Sequence, residues 1–210
     1  MILRVCAALA LALGVAAFLL FLGLVGKAPW SPPEMRRLRA RKDRVEAPSV
    51  YDAVTVADIE SLPHGVTLAA RAGLEARGVS FDGWVQRMLT APDGDFHFEL
   101  VGTPRRPGGP DTCYVTAEIT PQWSRGSETW AYESLVALLR PNQGGATPWD
   151  GGPRRARVSG WLLHDYQHDI VPSSWSLRNG APRLSGWEIH PVTRLELWSD
   201  SLGRFVDVPR

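Results

Sequence analysis

Residues 185–198, with the sequence SGWEIHPVTRLELW, are the stretch of this 210-residue chain that predicts its fold. Successive side chains of a β-strand point to opposite faces, so Trp187 and Ile189 predict a row that faces a core. Glu188 and His190 then share the other surface. The proline that follows His190 donates no ladder hydrogen bond and belongs at an edge or a bulge. We therefore expect a late strand whose apolar row changes phase at that proline.

Four shorter strands and one helix are predicted before this stretch. Alternating apolar and polar residues indicate strands at 79–86, 95–101, 112–120 and 156–163. Apolar positions at helical spacing predict a helix over Ser127–Arg140, with Ser127 as its N-cap. Three strands, a helix and two strands is the order of an OB-type barrel. The predicted fold is therefore mainly β, an OB-like five-stranded barrel with one helix between strands three and four; a small barrel or an α+β sandwich of the same elements is the alternative.

The chain before this barrel begins with an apolar segment. Residues 2–25 carry a single charge, Arg4, and are long enough to cross a hydrocarbon core of about 30 Å at about 1.5 Å per residue. A cleavable signal peptide would have an apolar region of only about 7–15 residues. We predict an uncleaved transmembrane helix at 1–25, with an uncleaved signal as the alternative. A basic tether at 26–46, a partly helical lead-in at 47–78, the barrel at 79–200 and a tail at 201–210 follow.

Charge is divided unevenly along the chain. Residues 26–45 carry seven Lys or Arg against Glu34 and Asp43, whereas residues 46–210 carry 15 basic against 20 acidic residues. The basic tether is suited to anionic lipid headgroups. The acidic body lacks the wide positive surface that nucleic-acid binding needs. The partners predicted are thus the lipid bilayer, through residues 2–25 and the tether, and an unidentified protein or glycan ligand, while nucleic acid is disfavoured.

Four separated motifs resemble those of a functionally uncharacterised bacterial family of exported or membrane-anchored OB-like domains. The motifs are DGDFHFEL at 93–100, an acidic residue at Glu118, V-x-G followed by D-x-x-H at Val158, Gly160, Asp165 and His168, and WEIHPV at 187–192. The resemblance covers about residues 60–198. It departs at the cysteine, which the family has after the acidic residue and this chain has at Cys113, before it. The resemblance implies the fold and the choice of residues, and it names no activity.

The predicted location is the bacterial inner membrane, with a single span. Basic residues follow the apolar segment, so the positive-inside rule favours a cytoplasmic body. The family resemblance favours a periplasmic or extracellular one. The sequence leaves both orientations open.

Seven polar side chains from these motifs form the candidate ligand-binding or metal cluster. Imidazole and carboxylate are ligands of Zn²⁺ and related metals, but the spacing matches no known zinc motif. A histidine beside a carboxylate is also a common hydrogen-bonded pair at a barrel seam. No cofactor is therefore assigned, with Zn²⁺ or a similar divalent metal as the alternative. The residues are Asp95, His97, Glu118, Asp165, His168, Glu188 and His190.

Three further features are weaker candidates. Trp149 and Trp175 lie in loops rich in Gly, Pro and Ser, where indoles stack on bases or sugars or fill the ends of a barrel. His164 and His168 are interpreted as a solvated pair. Cys113 alternates with Val115 and predicts a buried, inert thiol.

The function predicted from these observations is a membrane-tethered OB-like binding or interaction module. No G-x-S-x-G elbow, P-loop or dinucleotide fingerprint occurs, and no catalytic residue is assigned. The alternative is a metal-dependent hydrolase, acting on phosphodiesters, in which His97, His168 and His190 bind metal and Glu118 or Glu188 is the general base.

Overall fold

The computed structural model describes residues 2–24, 28, 30–65, 67–104, 113–141, 152–168 and 183–210, with side chains of the first range described at 10–22. The chain divides into two compact units, Met1–Lys42 and Asp43–Arg210.

The first unit consists of two helices, α1 (Ile2–Leu24) and α2 (Pro33–Lys42). In α2, Glu34 lies in the first turn, and Arg39, Arg41 and Lys42 lie in the last. This order of charges suits the helix dipole, so part of the basic tether is helical. Among the described residues, no helix combines the length and the hydropathy that a membrane span requires.

The second unit is mainly β, and its centre is a closed barrel. Its strands are β1 (Asp52–Val54), β2 (Gly78–Thr90), β3 (Phe96–Val101), β4 (Tyr114–Ile119), β5 (Arg155–His164), β6 (Arg183–Ser199) and β7 (Arg204–Asp207). Strand β2 pairs with β3 and β5, β3 with β4, β4 with β6, and β6 with β5. These pairings are antiparallel except that of β4 with β6, which is parallel. The predicted mainly-β class and the five-stranded barrel are confirmed.

Two short helices lie between the third and fourth barrel strands, where one was predicted. They are α5 (Pro121–Ser124) and α6 (Tyr132–Leu139). The predicted helix start at Ser127 is wrong, because Ser127 instead accepts a hydrogen bond of 2.9 Å from the backbone of Trp130 in a turn. The indole of Trp130 is buried and donates to the carbonyl of Val208 at 3.0 Å. This tertiary contact delays the helix until after Ala131.

The lead-in and the tail both extend the barrel. β1 pairs in parallel with β2, and two helices follow it, α3 (Val56–Glu60) and α4 (Leu68–Leu74). At the other end of the chain, β7 pairs with β6. Val208, just after β7, is buried and belongs to the apolar core. The segment predicted as a tail thus adds a strand to the sheet.

The apolar core fills the barrel interior as the alternation predicts. Trp187 and Ile189 are both fully buried in it, and Leu195 joins them farther along β6. The pairing of β5 with β6 shifts register on both sides of Gly160, which agrees with the predicted change of phase near Pro191. A side chain at position 160 would collide with the carbonyl oxygen of Pro191, so glycine is needed for this close approach.

Four tryptophans attach flanking segments to the barrel through their indole N–H groups. The acceptors are backbone carbonyls, and buried indoles usually find such a partner. The pairs are Trp123 with Arg44 at 2.9 Å, Trp130 with Val208 at 3.0 Å, Trp161 with Glu46 at 2.8 Å and Trp187 with Pro63 at 3.0 Å. Residues 44 and 46, assigned from sequence to the tether, therefore contact the barrel unit.

Candidate functional site

A row of polar residues lies on the face of β3, β4 and β6 that points away from the core. Glu118 on β4 pairs with His97 on β3, and Thr116 on β4 pairs with Glu188 on β6. Because side chains two residues apart share a face, His190 lies beside Glu118 on the same side. We call this surface the polar face; it carries Asp95, His97, Glu99, Tyr114, Thr116, Glu118, Thr120, Glu188 and His190.

A tight turn places Asp95 at the edge of this face. Gly94 has a φ of 93°, a conformation that favours glycine. The side chain of Asp93 accepts a hydrogen bond of 3.4 Å from the backbone of Asp95, and the carbonyl of Asp95 accepts one of 2.8 Å from Ala91. The D-G-D sequence is therefore the turn that directs the Asp95 carboxylate onto the polar face.

His190 is the centre of the cluster. Its Nδ1 lies 2.9 Å from Glu118 Oε2 and 3.2 Å from Glu188 Oε1. Its Nε2 lies 3.5 Å from Asp95 Oδ2. The other oxygen of Glu118 accepts a hydrogen bond of 2.8 Å from Nδ1 of His97. Both ring nitrogens of His190 thus face carboxylate oxygens.

An arginine at the start of β6 offsets part of this negative charge. Arg183 Nη1 donates to Glu188 Oε2 at 3.4 Å. Burial alone would lower the pKa of Arg183, but the nearby charges, that of Glu188 foremost, outweigh burial and raise the pKa above its ordinary value. Burial, with a smaller contribution from Glu99, also raises the pKa of Tyr114. Arg183 therefore remains a cation and Tyr114 a neutral phenol at pH 7.

The charged groups of the cluster are almost entirely removed from solvent. Asp95, His97, Glu118, Glu188 and His190 are between 0% and 8% exposed. Burying a charge is costly unless it is paired, so the arrangement needs compensating positive charge.

Two hydroxyl groups flank Glu118, that of Thr116 on β4 and that of Thr120 just after it. Thr116 is fully buried and Thr120 is 2% exposed. Within the described part of the chain, neither hydroxyl oxygen has a hydrogen-bond partner. Buried hydroxyls are normally satisfied, so these two indicate polar atoms other than those of the described residues.

Three of these side chains lie close enough together to hold a metal ion. Asp95, Glu118 and His190 each offer one ligand atom, and these atoms lie within 4.8 Å of one another. His97 contacts this trio at Glu118, and Glu188 contacts it at His190. The structure thus brings together five of the seven residues predicted as a cluster.

The other two predicted residues, Asp165 and His168, lie at the far end of β5. Tyr166–His168 forms a short 3-10 helix, and the described contact of the His168 ring is with Asp165 at 4.0 Å. Asp165 is 1% exposed and its charge contributes to the raised pKa of Arg183. Asp165 therefore borders the polar face through Arg183, whereas His168 is half-exposed.

The weaker candidates have different outcomes. Trp149 and Trp175 lie outside the described residues. The prediction of a solvated histidine pair is wrong for His164, which ends β5, is buried and lies 4.7 Å from the Trp187 ring. The prediction of a buried thiol is also wrong, because β4 begins at Tyr114 and leaves Cys113 exposed before the strand.

The sequence analysis missed Arg183, Thr116 and Thr120. Arg183 is the first residue of β6. The register of β6 against β4 shifts between Tyr114 and Thr116. Alternation within one strand does not predict such a shift in register. The two threonines share a face with Glu118 by simple alternation. That spacing was a signal that the sequence offered.

Elsewhere the barrel carries exposed ion pairs in which each carboxylate has an arginine. Arg77 lies 3.1 Å from Asp52 and Arg155 lies 2.8 Å from Asp82, all about two-fifths to one-half exposed. A groove of about 580 Å³ nearby is lined by Ser80, Arg157, Arg194 and Glu196, among others. Glu196 there is buried but lies within 4 Å of two arginines.

No family model matches the chain, and no curated protein matches it. Among solved structures, it is similar to Entamoeba histolytica asparaginyl-tRNA synthetase at 15% identity and a TM-score of 0.35, covering 71% of this chain and 24% of that one. It is similar to Pyrococcus horikoshii asparaginyl-tRNA synthetase complexed with asparaginyl-adenylate at 16% identity and a TM-score of 0.36, covering 73% and 22%. This chain thus spans about a quarter of their length. Similarity at these TM-scores is too low to carry an argument about function.

Proposed function

We propose that this chain is a binding module built on an OB-like barrel, and that its ligand lies on the polar face. The first barrel strand pairs with the second and fourth, the third with the fifth, and helices lie between the third and fourth. This is the arrangement of an OB barrel, whose ligands bind on the face of the second and third strands. Those strands are β3 and β4 here, which supports the polar face as the ligand surface.

The observation that carries the proposal is the buried excess of carboxylate on this face. Asp95, Glu118 and Glu188 are each at least nine-tenths buried. A purely structural surface would lose stability by burying them. A ligand that brings positive charge or hydrogen-bond donors restores the balance, and the same charges repel phosphates.

Catalysis is the second candidate, because Asp95, Glu118 and His190 lie within 4.8 Å of one another. A metal-dependent hydrolase would need an open position for water and substrate beside these groups. His190 is fully buried and Glu118 is 7% exposed. Such enclosure favours holding a small ligand over turning over a phosphodiester.

Membrane tethering is a separate part of the proposal. It rests on the apolar composition of residues 2–25 and on the basic residues after them. Fractionation of cells that express the full chain, or a chain lacking residues 2–25, tests it. We expect the full chain in the membrane fraction and the shortened chain outside it. The same fraction for both would refute the tether.

Hydrogen exchange of the full chain tests the binding proposal without knowing the ligand. Amide exchange would be compared between protein freshly purified from cells and the same protein dialysed extensively against a chelator. Loss of ligand should increase exchange at β3, β4 and the first half of β6. The internal control is the exchange of the β2 and β5 amides beside the exposed pair of Asp82 and Arg155. Unchanged exchange at the polar face, or an equal change everywhere, would contradict the proposal.

A further inference from the structure

We propose that the polar face binds one divalent transition-metal ion between Asp95, Glu118 and His190. This inference rests on the proposed binding function and deepens it by naming the ligand. It differs from the metal set expected from sequence, because Asp95 and Glu118 replace His97 and His168 as ligands.

A neutral His190 ring has too few N–H protons for the carboxylate oxygens that face its two nitrogens. A neutral imidazole has one N–H and one lone pair, yet both nitrogens of His190 lie within 3.5 Å of carboxylate oxygens. At least one contact therefore sets a nitrogen lone pair against a carboxylate. Such a contact is repulsive unless a cation lies between the two atoms. The cation is either a proton, held by His190 or by the carboxyl group, or a metal ion.

The distances distinguish these two cations. A charge-assisted N–H···O hydrogen bond is about 2.7–2.9 Å long, whereas His190 Nε2 is 3.5 Å from Asp95 Oδ2. Two ligands bound to one tetrahedral ion at about 2.1 Å are separated by about 3.4 Å. The Asp95–His190 contact thus has the spacing of two ligands around one ion. Glu118 offers the third ligand atom.

The threonine hydroxyls give an independent reason for a ligand here. Thr116 and Thr120 are buried on the same strand face as Glu118, and their hydroxyl oxygens have no hydrogen-bond partner within the described residues. Three protein ligands leave a fourth position for water on an ion such as Zn²⁺. Water bound to the ion, or ordered beside it, would supply the missing partners.

His97 and Arg183 would then act as supporting residues. His97 donates to Glu118 Oε1 at 2.8 Å and fixes the orientation of that carboxylate. Arg183 contacts Glu188 at 3.4 Å, which balances the charge of the carboxylate outside the trio. Hydrogen-bonded partners of this kind orient metal ligands and raise metal affinity.

The ligand set indicates the class of metal. One imidazole nitrogen with two carboxylate oxygens suits Zn²⁺, Mn²⁺, Fe²⁺ or Co²⁺. Ca²⁺ takes six to eight oxygen ligands, and Mg²⁺ keeps several waters and requires near-octahedral oxygen geometry. We therefore expect Zn²⁺ and Mn²⁺ to bind more tightly than Ca²⁺ or Mg²⁺.

Metal binding is tested on the full chain in detergent, purified without chelators. Elemental mass spectrometry should find about one transition-metal ion per chain, which EDTA removes. Zn²⁺ and Mn²⁺ would then be titrated into the stripped protein by calorimetry. Asp95→Asn, Glu118→Gln and His190→Gln should each weaken binding by more than about tenfold, and His97→Gln by about 10–100-fold. Glu196→Gln, a buried carboxylate on the same strand as His190, is the control and should bind like the wild type.

A second measurement does not depend on whether a variant folds. EDTA should lower the melting temperature of the wild-type chain and Zn²⁺ should restore it, because a ligand of the folded state stabilises that state. Circular dichroism identifies the variants that fold. If His190→Gln unfolds, Asp95→Asn, at the edge of the polar face, is compared with the wild type instead.

Two results would overturn the inference. One is a wild-type chain without metal whose melting ignores both EDTA and Zn²⁺. The other is metal retained equally by Asp95→Asn and Glu118→Gln. If ligand-dependent hydrogen exchange at the polar face persists in either case, the binding function stands and its ligand is another cation or a hydrogen-bond donor. If that exchange is absent too, both proposals fail.

Discussion

Two arginine–carboxylate pairs lie in opposite surroundings, Arg77 with Asp52 and Arg183 with Glu188. The first lies 3.1 Å apart beside β2, with side chains 41% and 53% exposed. The second lies 3.4 Å apart on the polar face, with side chains 13% and 1% exposed. Water screens the first pair, so forming or losing it changes stability little. The second has lost its water, so each charge there depends on the others.

The two regions also differ in how charges are matched. Among the exposed ion pairs, Asp52 has Arg77 and Asp82 has Arg155. On the polar face, Asp95, Glu118 and Glu188 crowd around one imidazole. Exposed ion pairs keep a protein soluble, whereas three carboxylates buried around one imidazole are costly and indicate a ligand that brings positive charge. Four predictions test this contrast, beginning with the largest effect.

Removing the buried arginine should be far more damaging than removing the exposed one. We expect Arg183→Met to lower the free energy of unfolding by about 3–5 kcal/mol, because Glu188 would remain buried without its arginine. Arg77→Met should cost about 1 kcal/mol or less. Urea unfolding followed by tryptophan fluorescence measures both. Equal losses in the two variants would contradict the contrast.

The close contact of β5 with β6 at Gly160, next to His190, should not tolerate an added methyl group. In Gly160→Ala the added carbon would collide with the Pro191 carbonyl and lie 2.9 Å from the Val192 Cα. We expect a loss of about 1–3 kcal/mol from overpacking, measured by the same urea unfolding.

Gly73→Ala is the matched control for Gly160→Ala. Gly73 lies in α4 and has open space around it, and alanine is the better helix residue by about 0.5–1 kcal/mol. The two variants should therefore shift stability in opposite directions. A neutral Gly160→Ala would mean that β5 and β6 separate easily.

Neutralising one carboxylate of the polar face should stabilise the metal-free chain. Asp95 and Glu118 place like charges within 4.8 Å, so Asp95→Asn relieves repulsion in EDTA. We expect a gain of about 1 kcal/mol, or roughly 2–4 °C in melting temperature. Glu196→Gln should change stability in the opposite direction, because it removes the partner of Arg157 and Arg194. A lower melting temperature for Asp95→Asn in EDTA would show that the charges are already balanced.

The smallest effect is expected at an exposed carboxylate. Hydrogen bonds from the Thr55 hydroxyl and then the Thr55 backbone lower the pKa of Asp58 below its ordinary value of 3.8. A lowered pKa stabilises the folded state above the ordinary value, and the contribution is lost as pH falls through the lowered pKa. Wild type should therefore melt slightly above Asp58→Asn at pH 7, and the difference in melting temperature should shrink as the pH falls through the lowered pKa of Asp58. A difference that grows on acidification would contradict this.

Much of the fold follows from the sequence because alternation is a local signal. The β2 and β4 patterns mark their strands, and the apolar row of Trp187 and Ile189 faces the core as predicted. Helix starts are less secure, because burial of the Trp130 indole moves the beginning of α6 away from Ser127. A tertiary contact outweighed a local cap.

The candidate site was predictable only where neighbouring strands alone define it. The pairing of His97 with Glu118 follows from two strands joined in a meander. The position of His190 depends on a parallel pairing across the barrel, and that of Arg183 on a bulge in β6. Neither register can be read from one strand's own residues. His168 did not join the cluster, because its contacts depend on a turn after β5 with no periodic pattern.

The parallel pairing of β4 with β6 also has a consequence for the order of assembly. Asp95 and Glu118 come from consecutive strands, but His190 comes from the last barrel strand to be synthesised. A nascent chain that ends before residue 183 therefore holds the two carboxylates of the trio but lacks the imidazole of His190. An ion that needs all three ligands would bind only after the ring of strands has closed. Binding of the ion would therefore follow closure of the barrel, and a barrel that has not closed would lack the stability that the ion adds.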